Sequence, residues 1–164
     1  MNTSWSNWLN QALTKPDRRV AVVGVGSELY GDDAAGVLVA RRLKTMLTGR
    51  EDVLIIEGGI APENCTGALR RFAPNAVIFV DAAEMNLPPG EIRWLAWDEI
   101  AGVSASTHSL PLSVLADYVA AELQCEVYLI GIQPALMAFD APVSSPVTGA
   151  VDQVVSQLAT TLVR

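Results

Sequence analysis

Short apolar runs of strand length alternate with longer stretches that are apolar on one face only. Residues 19–25 form a continuous apolar run, and residues 53–57, 76–81 and 126–132 repeat the pattern, as strands buried in a parallel sheet would. Residues 91–97 alternate instead, which predicts an exposed or edge strand. Between these runs the helical period returns. Trp5, Trp8, Leu9 and Ala12 mark a short amphipathic helix over residues 4–14. A second helix is predicted from about Asp32 to Leu47, and a third over 62–72 with Pro62 in its first turn. A fourth covers 109–123 with Pro111 near its start. The last covers 147–163, with Val151, Val154, Val155, Leu158 and Leu162 on one stripe. Gly58-Gly59, Pro88-Pro89-Gly90 and Gln133-Pro134 break the pattern as turns, and residues 135–146 read as a Pro-rich loop. Strand and helix alternate throughout, so the expected fold is α/β, a three-layer αβα sandwich with a mostly parallel central sheet. Residues 1–17 are expected to form an N-terminal extension, and 18–164 a single domain.

In such sheets ligands bind beyond the carboxyl ends of the strands. Asp33 follows the first strand, Asp81 closes the third, and His108, the single histidine, lies in Ser106-Thr-His-Ser-Leu-Pro-Leu112. Two carboxylates and one imidazole at that edge would make an open site for a borderline divalent metal. Glu57, before the double glycine, belongs to the same edge as a supporting or catalytic carboxylate. Each residue also has a plainer reading. Asp32 and Asp33 stand at a helix start, where Asp caps; Asp32 is assigned to that role, and one cap leaves Asp33 to be explained. Asp81 could hold a turn, His108 could be a hydrogen-bonded loop residue, and Glu28 and Glu84 read as solvated. Gly24-Val-Gly26 lacks the third glycine of a dinucleotide fingerprint, because position 29 is Leu. Gly26 and Gly31 have the spacing of a phosphate loop, but Asp32-Asp33 follow where Lys would stand.

Charge and cysteines narrow the classes further. The formal charge is −7, from 18 acidic and 11 basic residues, which disfavours nucleic acid and fits a metal site or a basic protein partner. Cys65 and Cys125 are far apart, without a CxxC, and read as small apolar residues rather than a disulfide or zinc site. No run approaches transmembrane length, so no membrane insertion is expected. The first ten residues lack a basic segment followed by an apolar core, so cytoplasmic location is expected.

Gly26-Ser-Glu-Leu-Tyr-Gly-Asp-Asp-Ala-Ala-Gly36, Glu57-Gly-Gly, Val80-Asp81-Ala82 and Thr107-His108 together resemble the hydrogenase maturation proteases. Gly58-Gly-Ile-Ala-Pro-Glu-Asn64, Pro89-Gly-Glu-Ile-Arg93, Thr107-His-Ser-Leu-Pro-Leu112 and Gly131-Ile-Gln-Pro134 resemble the branch that processes hydrogenase 3. The resemblance runs from about residue 19 to 160, with residues 1–17 outside it. It implies an endopeptidase that removes the C-terminal extension of a nickel-loaded [NiFe]-hydrogenase large-subunit precursor. It also implies that Asp33, Asp81 and His108 contact the nickel, which arrives with the precursor, so no tightly bound cofactor is expected. Ser27 stands where the family usually has Asn, and Glu57 where it usually has Asp. Two rival readings use the same residues. A receiver-like module also places acids after its first and third strands, but would need a lysine near the end of the last strand, where Gly131-Ile-Gln-Pro134 stands. A non-proteolytic nickel chaperone would share the ligands and lack the cleavage.

Overall fold

The computed structural model describes residues 4–102, 104–105 and 110–164. Five strands form one sheet in the order β2-β1-β3-β6-β4: β1 (Val20–Val25), β2 (Val53–Gly59), β3 (Ala76–Glu84), β4 (Ile92–Ala96) and β6 (Glu126–Ile132). The two-residue β5 (Ser104–Ala105) pairs antiparallel with Ala83 and Glu84 at the end of β3. All main-sheet pairings are parallel except β4 with β6, so residues 91–97 do form the antiparallel edge.

Helices cover both faces. On one, α2 (Ala35–Met46) and α5 (Ser145–Val163) pack on Val20, Val22, Ile78, Val80, Ile130 and Ile132. On the other, α3 (Thr66–Phe72) and α4 (Leu112–Leu123) pack on Val23, Val77, Phe79 and Leu129. Strands 1 and 3 feed both layers through alternate side chains, which is why their sequences are apolar at nearly every position.

The predicted elements are all present, with shifted boundaries. The helices expected from Asp32 and over 62–72 each start with a 3-10 turn, Gly31–Ala34 and Pro62–Cys65, before α2 and α3 proper, and Gly58-Gly59, expected as a turn, extends β2. Helix α4 begins only at Leu112, because Pro111 is its N-cap, with an extended ψ of 135°. Strand β3 runs past Asp81 to Glu84, since β6 pairs with it to Ala82 and β5 beyond; Asp81 therefore does not close the strand. The N-terminal helix α1 (Trp5–Leu13) lies against β4 and α5. Leu9 is its one fully buried residue, Trp5 packs at the core's margin, and Trp8 stays half-exposed despite its place on the expected stripe. Cys65 is buried and Cys125 half-buried, both as free thiols, and burial pushes both up, Cys125 to about 11.

Candidate active site

Strand order fixes where a site can form. From β1 the chain moves to β2 on one side and reaches β3 on the other. The loops after β1 and β3 thus part at the carboxyl edge, the topological switch point where α/β sheets bind ligands. Asp33 and Asp81 both belong to this place. Register pairs β1 with β3 only as far as Gly24 opposite Val80, so Asp81 is the first β3 residue beyond that pairing. The 3-10 turn that carries Asp33 packs against β3. Both carboxylates are buried, at 0% and 1% exposure. His108, with Ser106, Thr107 and Ser109, lies outside the described residues. Among the described residues no group of three or more His, Cys, Asp or Glu is placed to hold a metal.

The β1 loop is built around glycine and serine. Gly26 has φ +131°, and its N–H donates to the Gly59 carbonyl at 2.9 Å, joining the loop to the end of β2. The Ser27 N–H then donates to Asp33 Oδ2 at 3.0 Å. Ser27 Oγ accepts the Leu29 N–H at 3.2 Å, and the Tyr30 carbonyl accepts the Asp33 N–H at 3.0 Å. Asp33 is thereby fixed by a backbone donor, the Ser27 N–H, and a backbone acceptor, the Tyr30 carbonyl, of its own loop.

Asp32 does not cap the helix. The N-cap position is Tyr30, without a side-chain cap hydrogen bond. The Asp32 carboxylate instead reaches across to the loop after β6. Its Oδ2 accepts from the Ala135 N–H at 2.8 Å, the Leu136 N–H at 3.0 Å and the Ser144 hydroxyl at 2.8 Å, while Oδ1 accepts from the Ser144 N–H at 2.7 Å. Burial alone would raise the Asp32 pKa, but the donors from Ser144, Leu136 and Ala135 outweigh it and hold the group below the usual carboxylate range. Both ends of the 135–144 loop are therefore fastened to one charged group.

Asp32→Asn should then destabilise the protein by roughly 3 kcal/mol at neutral pH, as hydrogen bonds to a charged acceptor are lost and an amide faces donors. Because the folded pKa lies below the unfolded one, this stabilisation is present above the unfolded value and is lost as pH falls through the folded value. Chemical denaturation of both proteins should show a gap at pH 6 that narrows towards pH 3. A gap independent of pH would show that the charge is not what holds the loop.

Two more residues organise this edge that carry no site role in the sequence reading. Gln133 is buried; its Oε1 accepts the Met85 N–H at 2.7 Å, and its Nε2 donates to Glu84 Oε2 at 2.9 Å, pinning the turn after β3. Arg41 of α2 donates through Nε to Glu57 at 2.8 Å and through both terminal nitrogens to Glu28 at 2.9 and 2.6 Å. The hydrogen bonds and charge of Arg41 hold the Glu28 carboxyl below its ordinary range. Glu28 and Glu84 are exposed, as expected, and in addition make these specific contacts. Glu57 stands at the register of Gly24, at the surface, in its ion pair with Arg41. A cleft of about 850 Å³ opens at the opposite sheet edge, beside Lys15, Arg18 and Glu126, away from these acids.

Comparison with known proteins decides the family. The hydrogenase maturation protease pattern matches residues 37–161. The chain belongs to the hydrogenase maturation protease family. It is 38% identical to the hydrogenase 3 maturation protease of Escherichia coli over 135 residues, covering 82% of this chain and 85% of that one. Among solved structures, the [NiFe] hydrogenase maturation protease HycI from Thermococcus kodakarensis superposes with TM-score 0.86 at 32% identity, covering 96% of this chain and 99% of that one. The endopeptidase HycI from Escherichia coli superposes with TM-score 0.74 at 36% identity, covering 86% and 89%. The archaeal superposition leaves too little of the chain uncovered to exclude all of residues 1–17.

Proposed function

We propose that this maturation protease cuts the C-terminal extension from a [NiFe]-hydrogenase large-subunit precursor that already carries nickel, and that Asp33, Asp81 and His108 contact that nickel. The observation that carries this reading is the burial of Asp33 and Asp81 together at the topological switch point of a maturation-protease fold. Oxygen and imidazole donors suit a borderline divalent ion, and three protein ligands leave coordination positions for groups of the precursor. Nickel is then part of the substrate. Cleavage itself adds water to the scissile carbonyl carbon, breaks the C–N bond and releases the new amine with a proton. The metal can polarise that carbonyl or acidify the water; alternatively it serves only as the address, and a carboxylate is the general base. Glu57 is the weaker base candidate, because Arg41 already engages its carboxylate. Cleavage in the cytoplasm is part of this proposal. No helix among the described residues is long and apolar enough to cross a membrane.

Intact-mass measurement tests the reading. The protein should shorten a nickel-loaded precursor by its C-terminal extension and leave the nickel-free precursor whole. An unchanged loaded precursor would favour the chaperone reading, and equal cutting of both would remove nickel from recognition. A second expectation concerns the free protein. After chelation it should retain well under one equivalent of nickel by elemental analysis, and stoichiometric nickel surviving that treatment would make the metal resident.

A further inference from the structure

The loops at the carboxyl edge hold a group of apolar side chains outward. Leu29, Leu136 and Phe139 are 62%, 57% and 69% exposed, and Tyr30 is 38% exposed. They lie on two joined loops: the Tyr30 and Phe139 rings meet edge to face at 5.7 Å, the Asp140 N–H donates to the Leu29 carbonyl at 2.8 Å, and the Leu136 carbonyl accepts the Asp32 N–H at 3.0 Å. The patch is also fixed in place, since Asp32 fastens residues 135, 136 and 144 and accepts nothing from solvent. Scattered exposed apolar residues need no explanation, but a contiguous set held on a tethered loop marks an interaction surface.

Charge says what that surface takes. The carboxyl-edge loops, residues 26–34, 60–65, 85–91 and 133–144, contain Glu28, Asp32, Asp33, Glu63, Glu91 and Asp140 and no Lys or Arg. Glu91 and Asp140 are exposed. The opposite-edge loops, residues 14–19 and 47–52, carry Lys15, Arg18, Arg19 and Arg50 beside Asp17, Glu51 and Asp52, a small positive balance against the purely acidic set at the carboxyl edge. The molecule is therefore polarised along its strands, and its apolar patch lies at the acidic end. Two copies meeting there would set acid against acid, which disfavours self-association.

We propose that this patch docks an apolar segment of the large-subunit precursor flanked by Lys or Arg, beside the cut site. This rests on the proposed function for the partner's identity. The aliphatic and aromatic side chains bury the apolar segment, and the acids align its cationic flanks. Leu136 and Phe139 are thus specificity-determining residues that take no part in bond cleavage.

The test uses the full chain and the nickel-loaded precursor, with direct binding and cleavage read separately. Leu136→Ser/Phe139→Ser should raise Kd and KM on the order of tenfold and leave kcat near the wild-type value. Glu91→Lys/Asp140→Lys should do the same. It should also remove the weakening of wild-type binding expected as salt rises from about 0.05 to 0.3 M. Met46→Ser, at the far end of α2, is the exposed control and should change neither. If the apolar variant fails to fold, the charge-reversed pair, both at exposed positions, decides alone. Wild-type Kd and KM in the variants, with wild-type cleavage intact, would overturn the proposal. So would a dimer of the free protein that the apolar variant dissolves without change in precursor binding. If wild type binds the precursor but never cuts it, the cleavage reading falls, and the docking proposal stands or falls on the variants' Kd.

Discussion

Asp33→Asn is expected to stop precursor processing, by at least about 100-fold, while leaving the protein folded. The two halves of this expectation have separate grounds. On stability, Asp33 Oδ2 accepts the Ser27 N–H, and the amide oxygen of Asn can accept the same bond. The tethering of the 135–144 loop belongs to Asp32 and is untouched. The cost should therefore stay near the ~1 kcal/mol typical of one altered hydrogen bond. On activity, the substitution removes the charge that is proposed to meet the nickel of the precursor. A 100-fold loss corresponds to about 2.7 kcal/mol of transition-state stabilisation. Asp81→Asn and His108→Ala should act in the same direction, and no second histidine exists to replace His108. Denaturation midpoints and cleavage rates measured on the same preparations give the answer. Near-normal processing by any one of the three would remove that residue from the proposed ligand set.

How far the fold could be read in advance depended on how local its cause was. Strands β1 and β3 were legible because burial on both faces leaves almost no polar position in either. Helix α5 was legible because its stripe repeats from Val147 to Leu162. The late start of α4 has a local cause in Pro111, but the larger failures are long-range. Asp32 looked like a cap because Asp at a helix start usually is one, and its true donors lie more than a hundred residues away at Ala135, Leu136 and Ser144. No local spacing announces such a contact. The end of β3 was misplaced for the same reason: β5 extends the ladder from a distant part of the chain. Trp8 was assigned to the buried stripe of α1 because periodicity gives a face and cannot say how much of it the domain covers.

The candidate site shows the same division. Strand-end position brought Asp33 and Asp81 to one edge from sequence alone, since any parallel sheet puts those ends together. Arg41 and Gln133 were missed because each acts by joining elements whose proximity only the folded chain reveals. Arg41 bridges the β1 loop and β2, and Gln133 bridges β6 and the turn after β3. A signal for Gln133 did exist: a polar residue directly after the apolar run Leu129–Ile132 must find partners when buried.

Gly36→Ala is expected to cost about 3 kcal/mol or more, and Gly149→Ala to gain about 0.5–1 kcal/mol. The chemical change is identical and both glycines lie in helices, α2 and α5. They differ in what a methyl group would meet. A Cβ on Gly36 would stand 2.0 Å from the Val80 carbonyl oxygen and 2.4 Å from that of Val25. Both obstacles are backbone atoms of buried central strands, so no rotamer change relieves them. Helix α2 would have to move off the sheet at the turn that carries Asp33, beside Asp81. Such a loss is a large part of the ~5–15 kcal/mol that keeps a domain folded. At Gly149 nothing lies within 4 Å of the same methyl. Alanine there reduces the freedom of the unfolded chain and favours the helix without strain. Guanidinium denaturation of the two single variants should move the midpoint in opposite directions. The Gly149 variant should keep wild-type processing, whereas any folded Gly36 variant should lose it with the geometry of the β1–β3 edge. Equal effects at the two positions would mean that α2 approaches the sheet less closely than the Val80 contact requires.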